Sequence, residues 1–255
     1  MTERQTRVHI SGLTKEFGEV TALNQIDLSL DENEFVSVVG RSGCGKSTLL
    51  SIIAGLEYPT EGTVLVDGEE VIGPGRDRGV VFQSATLLPW LTALGNVEFA
   101  LRDEPMTKVA RRDIAREYLN LVSLTGFEDA HPAQLSGGMQ QRVALARSLS
   151  YNPSILLMDE PFGALDALTR REMQELLTQV WEKHKLTVML VTHDIEEAVF
   201  TSDRVIVMTR RPGHIMADVP IELERPRHPS MIVSQKFREY YGELLGMIHN
   251  DVPAA

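Results

Sequence analysis

The sequence predicts an α/β core that is interrupted by a helical insertion and resumes after it. First, the strand-like run "EFVSVVG" (34–40) leads through a glycine-rich turn into "KSTLLSIIAGL" (46–56), which reads as a helix, and this order makes one α/β unit. Second, the pattern becomes helical over residues 87–149. Third, strand-like runs return at 155–158, 187–192 and 204–208, so the core continues on the far side of the insertion.

Shorter patterns predict the other elements. The run "QIDLSL" (25–30) alternates apolar and polar residues, which is the period of a half-buried strand. Asp67 and Gly68 separate two extended runs in "TVLVDGEEV" (63–71), and this pair is typical of a hairpin turn. Three further runs are predicted to be helices: "KVARRDIAREYLNLVSL" (108–124), "REMQELLTQVWEKHK" (171–185) and "SQKFREYYGELLGMIHN" (234–250).

Composition excludes several function classes. The formal net charge of -11 argues against a nucleic-acid binder and against a protein held on anionic lipid by its surface charge. The single cysteine, Cys44, rules out an intramolecular disulfide and suits a reducing compartment. The N-terminal run "MTERQTRVHI" has no apolar core of signal-peptide type, and no apolar run approaches the ~20 residues of a membrane-spanning helix. We therefore expect a cytoplasmic, soluble chain whose membrane role would come through a partner.

The run "GRSGCGKST" (40–48) fits the phosphate-binding pattern G-x-x-x-x-G-K-[ST]. Its glycines let backbone N–H groups wrap a phosphate chain, while Lys46 reaches the terminal phosphates and Ser47 is placed to ligate Mg²⁺. A chance match arises on the order of once per hundred chains of this length, and here the run also lies between a strand and a helix. We predict that the whole loop binds nucleotide: Gly40, Arg41, Ser42, Gly43, Cys44, Gly45, Lys46, Ser47 and Thr48.

Two adjacent carboxylates end the strand-like run "ILLMDEP" (155–161). Asp and Glu are poor strand residues and are costly to bury, so a pair at this place indicates a cation or a reacting water. Asp159 suits a ligand of Mg²⁺, directly or through water, and Glu160 suits the base that orients or deprotonates the attacking water. The alternative, a solvated strand end, is common for a single acid and much rarer for two acids beside a phosphate loop.

The run "LSGGMQQR" (135–142) places two glycines directly before a helical stretch. Because glycine weakens a helix interior, the pair is expected at a helix start, which Ser136 can cap. A helix start of this kind offers backbone N–H groups to an anion.

Together these motifs resemble those of ATP-binding cassette (ABC) ATPases, and the resemblance extends to about Met208. "LSGGMQQR" resembles the family signature, and "VFQ" puts Gln83 at the position of the loop glutamine. "FGALD" resembles the loop after the second Walker motif, with Asp166, and "VTHD" places His193 at the switch histidine. One such motif is weak support, whereas five in family order are very specific.

The resemblance implies a fold and a division of the chain. The fold is an α/β P-loop NTPase (RecA-like) core with an N-terminal antiparallel β subdomain and an inserted α-helical subdomain. Residues 1–215 are then the ABC ATPase domain, with the core at 1–86 and 150–215 and the helical insertion at 87–149. Residues 216–255 are then a short C-terminal helical extension.

The resemblance also implies a shared reaction centre. Two copies of the cassette pair head-to-tail as a homodimer, and the signature of one covers the γ-phosphate held by the phosphate loop of the other. A lone chain is therefore expected to bind ATP yet hydrolyse it poorly. The residues implied to contact ATP of the second copy are Ser136, Gly137, Gly138 and Gln140.

Three catalytic roles are implied in the same way, for Glu160, His193 and Gln83. His193 is aimed at the γ-phosphate from a strand end, although it could instead be one more surface histidine. Gln83 links Mg²⁺ and water to the partner, so the implied Mg²⁺ ligands are Ser47, Gln83 and Asp159. Alternatively, Gln83 could be an ordinary polar residue that ends a strand.

Further roles are expected for two residues before the loop and one inside it. The family commonly stacks an aromatic ring under adenine, and Phe17 fits this place with Val20 packing nearby, although Phe17 could be ordinary core. Cys44 is expected to be inert in turnover and, as an exposed thiol, to be open to alkylation that ATP prevents.

Two function classes compete. In one, the chain is the motor subunit of a membrane transporter; in the other, it is a soluble ABC ATPase of DNA repair or translation. The soluble relatives usually carry coiled-coil insertions, zinc modules or two cassettes, so the transporter is favoured. Residues Leu87 to Trp90 lie where the family docks the coupling helix of its permease, and the alternative is that they form the core of the insertion.

Further motifs, among them "GPGRDRGVVFQ", "LLPWLTALGNV" and "RRPGHI", resemble the importer group for taurine, other sulfonates, nitrate and related small anions. Polyamine, sugar and amino-acid importers are the alternatives. The importer resemblance implies a transmembrane permease and an extracytoplasmic solute-binding protein, with the cassette held peripherally at the cytoplasmic face of the inner membrane and no nucleic acid bound.

Overall fold

The computed structural model describes residues 5–250, which form two sheets and seven α-helices. Residues 1–4, part of the N-terminal run discussed above, and residues 251–255, the end of the predicted extension, lie outside the described residues. The strands are β1 (Thr6–Phe17), β2 (Val20–Asp31), β3 (Phe35–Gly40), β4 (Glu61–Val66), β5 (Glu69–Glu70), β6 (Arg78–Val81), β7 (Ile155–Asp159), β8 (Thr187–Val191), β9 (Arg204–Met208) and β10 (Ile215–Pro220). The α-helices are α1 (Lys46–Ile53), α2 (Ala93–Ala100), α3 (Lys108–Leu121), α4 (Gly137–Leu149), α5 (Ala167–His184), α6 (Ile195–Thr201) and α7 (Gln235–Asn250). Short 3₁₀ turns lie at Pro132–Gln134 and Pro229–Val233.

The N-terminal sheet is antiparallel, as predicted, with strand order β2-β1-β4-β5. The alternating run 25–30 lies within β2, where Ile26, Leu28 and Leu30 face the core. The predicted hairpin joins β4 to β5, and both of its central residues have positive φ, 52° at Asp67 and 80° at Gly68. That conformation matches the twist of the flanking strands, which explains the choice of Asp-Gly.

The larger sheet has strand order β10-β9-β3-β8-β7-β6, and all its strands are parallel except β10. The three predicted strand runs after the insertion are confirmed as β7, β8 and β9. The edge strand β10 pairs antiparallel with β9, so the sheet continues beyond residue 215, where the sequence had predicted the end of the ATPase domain.

The larger sheet is buried on both faces, which accounts for its continuous apolar strands. Along β7, Ile155 and Leu157 join the cluster that contains α1 and the antiparallel sheet, whereas Leu156 and Met158 join the cluster beneath α2 to α5. A third cluster packs α6 and α7 against β9 and β10. The predicted closing helix α7 anchors itself there through Phe237 and Leu244.

The helical run between the two parts of the sheet contains α2, α3 and α4, which pack on one another. The helix predicted at 171–185 is α5, which begins four residues earlier, at Ala167. Its earlier start has a local cause, because Asp166 Oδ1 accepts the backbone N–H groups of Leu168 and Thr169, both at 3.1 Å. A carboxylate at this position satisfies amide groups that the first helical turn leaves unpaired.

Candidate active site

The predicted site residues gather at the carboxyl ends of four neighbouring strands. These strands, β3, β8, β7 and β6, lie side by side in the larger sheet, and the carboxyl edge of such a sheet is where α/β proteins bind ligands. The phosphate loop (Gly40–Thr48) follows β3, His193 follows β8, Glu160 follows β7 and Gln83 follows β6.

The phosphate loop is tightly constrained at Gly45, which precedes the first residue of α1. Gly45 has φ 101°, and a Cβ atom there would lie 2.6 Å from Leu23 Cδ2 and 2.9 Å from the carbonyl oxygen of Ala22. No side chain caps α1 at this residue, so the backbone N–H groups of the first turn are left for an anion.

Lys46, the first residue of α1, is buried at 5% exposure. Its ammonium donates to the carbonyl oxygens of Gly40 at 2.9 Å and Arg41 at 3.2 Å. The positive charge is therefore held against the loop and beside the cleft that the loop lines, where it can attract phosphate oxygens.

A cleft of about 390 Å³ opens beside the loop. Phe17 and Val20 form part of its wall, and Phe17 is 48% exposed, so the alternative that Phe17 is core is wrong. The Lys15 ammonium lies 4.7 Å from the centre of the Phe17 ring. The loop residues that line this cleft are Ser42, Gly43, Gly45, Lys46, Ser47 and Thr48.

Cys44 is placed differently from the expectation. Its side chain is only 1% exposed and belongs to the core cluster around α1. Burial raises the pKa of its thiol, while the nearby Lys46 ammonium acts in the opposite direction. The prediction of an exposed thiol is therefore wrong, because the glycines on either side of Cys44 turn its side chain inward under the loop.

Ser47, in the first turn of α1, contacts Asp159, the last residue of β7. Ser47 Oγ donates to Asp159 Oδ1 at 2.9 Å. Burial raises the pKa of Asp159, the bond from Ser47 lowers it, and the neighbouring Glu160 raises it further. A hydroxyl and a carboxylate aimed at one point are oxygen donors of the kind that Mg²⁺ prefers, so this pair fits the predicted ion.

Glu160 and His193 form the second pair. Glu160 Oε2 lies 3.0 Å from His193 Nδ1. Glu160 itself has φ 45°, an uncommon conformation for a side chain larger than glycine, and its N–H donates to the Val191 carbonyl at 2.8 Å. Such local strain is found preferentially at functional sites, and here it turns the carboxylate toward the histidine at the end of the neighbouring strand.

Gln83 reaches the same edge from β6. A Cβ atom built on Gly163 would lie 3.3 Å from Gln83 Nε2 and 3.9 Å from Glu160 Oε2. The amide of Gln83 and the carboxylate of Glu160 are thus both close to Gly163. The bonds of Gln83 to Mg²⁺ and water stay a prediction.

The signature segment (Leu135–Arg142) does not line the cleft beside the phosphate loop of its own chain. Ser136 caps α4 and accepts the N–H of Met139 at 3.3 Å. Ser136 and Gly137 are exposed, whereas Gly138 is buried against Thr169. Gln140 is tied to its own segment, because its amide donates to the carbonyl oxygens of Pro132 at 3.0 Å and Leu135 at 3.2 Å.

Comparison with known proteins decides which family has this arrangement. The family model described as "ABC transporter" matches residues 23–163, which contain the phosphate loop, the signature segment and the two carboxylates. The chain belongs to the ABC transporter family. It is therefore an ATP-binding cassette, with the α/β P-loop fold that the sequence predicted.

Three curated relatives span nearly the whole cassette. An uncharacterized ABC transporter ATP-binding protein of Methanocaldococcus jannaschii is 54% identical over 252 residues, which covers 97% of this chain and 93% of the relative. The nitrate import ATP-binding protein NrtD of Synechocystis is 46% identical, with 91% and 89% covered. The bicarbonate transport ATP-binding protein CmpD of Synechocystis is 45% identical, with 92% and 86% covered.

A solved structure has the same architecture. It is described as the dimeric structure of a post-hydrolysis state of an ATP-binding cassette bound to ADP and Pi. The TM-score is 0.75 at 39% identity, and the match covers 85% of this cassette and all of the solved chain.

Gln141 is a site residue that sequence reasoning missed. It is buried, and its amide donates to the carbonyl oxygens of Phe82 at 2.9 Å, Gln83 at 3.2 Å and Pro161 at 2.6 Å. One side chain of the signature helix therefore holds both the Gln83 loop and the turn after Glu160. A signal was available, since Gln141 shares the helical spacing of the buried residues Gly138, Leu145 and Ser148, and a polar residue on a buried face needs hydrogen-bond partners.

Arg211 is a second residue that was missed. It lines the cleft beside Gly43 of the phosphate loop, and it also borders a neighbouring opening with Arg41 and Arg210. These three cations lie around a loop that is predicted to bind a polyanion, in a chain whose net charge is -11. Only the "RRPGHI" motif pointed to this part of the sequence, and it named no contact.

The segment predicted to dock a permease (87–90) is anchored by hydrogen bonds to Asn96 and exposed at Trp90. Buried Asn96 accepts the N–H of Leu88 at 2.8 Å and donates to the carbonyl oxygens of Leu88, Leu91 and Thr92. Leu87 packs on the core beneath, whereas Trp90 is 70% exposed. Leu87 is thus part of the core of the insertion, whereas docking of a permease at Trp90 stays a prediction. Within residues 5–250 no helix is long and apolar enough to cross a bilayer.

Proposed function

We propose that this cassette is the ATP-hydrolysing motor subunit of an importer for a small inorganic anion. The observation that carries the hydrolytic part is the 3.0 Å contact between Glu160 Oε2 and His193 Nδ1, at the strand edge where the Ser47–Asp159 pair also lies. A carboxylate held by a histidine beside a phosphate loop has the chemistry to take a proton from water and orient it.

Different residues of this chain bind the phosphates, contact the adenine, hold Mg²⁺ and activate water. The first turn of α1 and the Lys46 ammonium bind the phosphates, while Phe17 and Val20 offer an apolar wall to the adenine. Ser47 and Asp159 would hold Mg²⁺, which when bound neutralises charge on the phosphates. Glu160 accepts the proton of the attacking water, and His193 keeps the carboxylate oriented.

The site needs a second copy of the chain to be complete. The start of α4 is exposed at Ser136 and Gly137, with Gly138 buried beside them, and it offers backbone N–H groups and the Ser136 hydroxyl away from the cleft of its own chain. In a head-to-tail pair these groups cover the γ-phosphate of the other copy. The dimeric cassette structure described above, with ADP and Pi bound, supports this arrangement.

Transport requires a membrane partner. The exposed Trp90, presented on a loop that Asn96 holds rigid, is the surface proposed to dock a cytoplasmic segment of a transmembrane permease. Tryptophan is enriched at protein–protein interfaces, and the exposed Pro89 and half-buried Leu88 extend the apolar surface beside Trp90. The cassette is then peripheral at the cytoplasmic face of the membrane, and a solute-binding protein delivers cargo on the other side.

The cargo is proposed to be a small planar monoanion such as nitrate or bicarbonate. The names of two relatives, at 46% and 45% identity, support this class. Taurine and other sulfonates, which the sequence motifs also favoured, stay a prediction. The cassette does not contact the cargo in this scheme, so its own residues carry no selectivity for it.

Co-purification tests the transporter role. Tagged wild-type chain expressed in its native host is expected to retain a multi-span membrane protein, and Trp90→Ala to lose it. Phe99→Ala is the matched control, because Phe99 is another exposed aromatic residue of the same helical region. Hydrolysis by the solitary chain that DNA or ribosomes stimulate would support the soluble class instead.

Uptake tests the cargo. Cells that lack this gene are expected to lose uptake of labelled nitrate or bicarbonate, and to recover it with the wild-type gene but not with Glu160→Gln. Loss of taurine uptake alone would place the cargo among the sulfonates.

A further inference from the structure

A buried polar group lies directly behind the Glu160–His193 pair and has no role in the scheme above. Glu197, on α6, is only 4% exposed, although carboxylates are rarely buried without a purpose. It borders the same small space as Glu160 and His193. Its contacts run to the turn that carries His193.

The first contact has a defined direction. Thr192 Oγ1 accepts the backbone N–H of Asp194 at 3.0 Å and lies 2.5 Å from Glu197 Oε2. Thr192 donates its single hydroxyl hydrogen to Glu197 Oε2 while a lone pair of the same oxygen accepts the Asp194 N–H. Glu197 thus fixes the rotamer of Thr192, and Thr192 fixes the backbone on the far side of His193.

The residue after His193 is held as well. Asp194 Oδ1 accepts the N–H groups of Glu196 at 2.9 Å and Glu197 at 3.2 Å, which caps α6. Arg170 donates to Asp194 Oδ2 at 3.4 Å and to the carbonyl oxygen of Leu165 at 3.0 Å. The turn at His193 is therefore clamped from Thr192 on one side and Asp194 on the other, while the imidazole itself is exposed.

The charge state of Glu197 suits this place. Burial raises its pKa to about 8, against the lowering effect of the Thr192 hydroxyl and of Arg170, and the nearby Asp194 and Glu160 raise it further. A carboxyl group that keeps its proton at neutral pH places no second negative charge behind Glu160. It still accepts the Thr192 hydrogen bond through its carbonyl oxygen.

We propose that Glu197 is a positioning residue for ATP hydrolysis, which acts through Thr192 to hold the His193 imidazole against Glu160. The inference deepens the proposed function and rests on it. A structural role alone would lower the stability of the chain when Glu197 is changed, whereas positioning lowers kcat in a way that depends on His193.

Steady-state ATP hydrolysis by the full chain, at concentrations where it pairs, tests this. Glu197→Leu is expected to lower kcat about tenfold or more, with KM for ATP changed by less than about twofold, as for loss of a supporting contact. Glu197→Gln is expected to keep kcat within about twofold of wild type, because a neutral amide oxygen accepts the same bond. Glu196→Leu, at the neighbouring and more exposed position, is the matched control and should leave kcat unchanged.

A double-mutant cycle separates positioning from general damage. In a His193→Ala background, Glu197→Leu should lower kcat no further, since residues that act through one another are not additive. Thr192→Val, which removes only the hydroxyl, should repeat the kcat loss, and it decides the question if Glu197→Leu does not fold. An unchanged kcat in Thr192→Val, or an additive loss in the double variant, would overturn this inference alone. Absence of hydrolysis by the wild-type chain would instead overturn the proposed function.

Discussion

Two helix starts in this cassette have the same chemistry and different surroundings. α1 begins at the phosphate loop, with a glycine at its cap, the Lys46 ammonium against its first turn and the Ser47–Asp159 pair beside it. α4 begins at Ser136 and two glycines, and its first turn is exposed away from that cleft. Both starts offer backbone N–H groups, and α1 in addition has the Lys46 ammonium and the Asp159 carboxylate beside the cleft.

The difference indicates that anion affinity and catalysis are divided along the chain. α1 carries what is needed to bind a nucleotide, because burial, charge and backbone geometry converge there. The start of α4 carries backbone N–H groups and the Ser136 hydroxyl, whereas the Glu160–His193 pair lies at the strand edge beside α1. We infer that α4 acts on a nucleotide bound by another copy, and five predictions follow from the difference between the two helix starts.

The largest effect is expected from Glu160→Gln. The amide keeps the shape of the carboxylate but cannot accept a proton, so phosphate release should fall at least about 100-fold, the scale of general-base catalysis. Nucleotide binding should persist, because the phosphate loop is intact. Parallel measurements of phosphate release and of ATP affinity check this. Phosphate release within a few-fold of wild type would mean that the part of the site around the phosphate loop and its carboxylates, the α1 half, has another base. The part at the start of α4 is the α4 half.

The next effect is expected from Ser136→Arg, which changes α4 and leaves α1 untouched. The added side chain blocks the exposed start of α4, so ATP affinity of the solitary chain should equal that of wild type. Hydrolysis should fall about 100-fold, as for loss of preorganised groups that stabilise a transition state. Equal hydrolysis by the variant and by wild type would show that α4 takes no part.

Mixing two inactive variants tests directly whether two copies of the chain share a site. Ser136→Arg keeps an intact α1 half, and Lys46→Ala keeps an intact α4 half. A mixture of the two should regain hydrolysis, because one of the two sites in the mixed pair combines both intact halves. No recovery in the mixture, with pairing verified by light scattering, would contradict the sharing of the site between copies.

Much of this comparison could be read from the sequence, for a physical reason. Short motifs such as 40–48 encode backbone geometry through glycine, and strands such as 155–158 encode burial through apolar runs. The prediction that the Cys44 side chain is exposed was wrong, because the turn of the loop sets the direction of the side chain and no sequence periodicity indicates that turn. Gln141 was missed because its carbonyl partners at Phe82, Gln83 and Pro161 are distant in the chain and only the folded structure brings them near. Glu197 was missed because its burial and its bond to the nearby Thr192 depend on how the turn at His193 folds.

A smaller effect is expected from alanine substitutions of Gly45, at the start of α1, and of Gly138, at the start of α4. Gly45→Ala puts a Cβ atom at φ 101° and 2.6 Å from Leu23, so it should cost about 2–4 kcal/mol of unfolding free energy and weaken ATP binding. Gly138→Ala puts a Cβ atom 2.4 Å from the Thr169 methyl, so Thr169 must shift, at a cost of about 1–3 kcal/mol that helix propensity offsets by up to about 1 kcal/mol. It should therefore keep ATP affinity and lose less unfolding free energy than Gly45→Ala, because no positive φ is strained there.

Gly138→Ala should nevertheless slow hydrolysis. Thr169 Oγ1 donates to Asp166 at 2.7 Å, so a shift of Thr169 disturbs the loop that precedes α5. Urea unfolding, ATP affinity and phosphate release on both variants check the pair. Equal losses of ATP affinity in the two variants would remove the distinction between the helix starts.

The smallest effect concerns Cys44 and asks whether the α1 half is already formed without nucleotide. In the folded chain its thiol is buried under the loop, and burial raises its pKa. Both effects lower the amount of accessible thiolate, which is the reactive form. Alkylation by iodoacetamide at pH 7.5 should therefore be at least about tenfold slower than for free cysteine and should become fast in urea. ATP should change the slow rate little, since the thiol is inaccessible before ATP binds. Fast alkylation that ATP suppresses would show instead that the phosphate loop opens in the free chain. The phosphate loop would then be formed by nucleotide binding, and the fold alone would not distinguish it from the exposed start of α4.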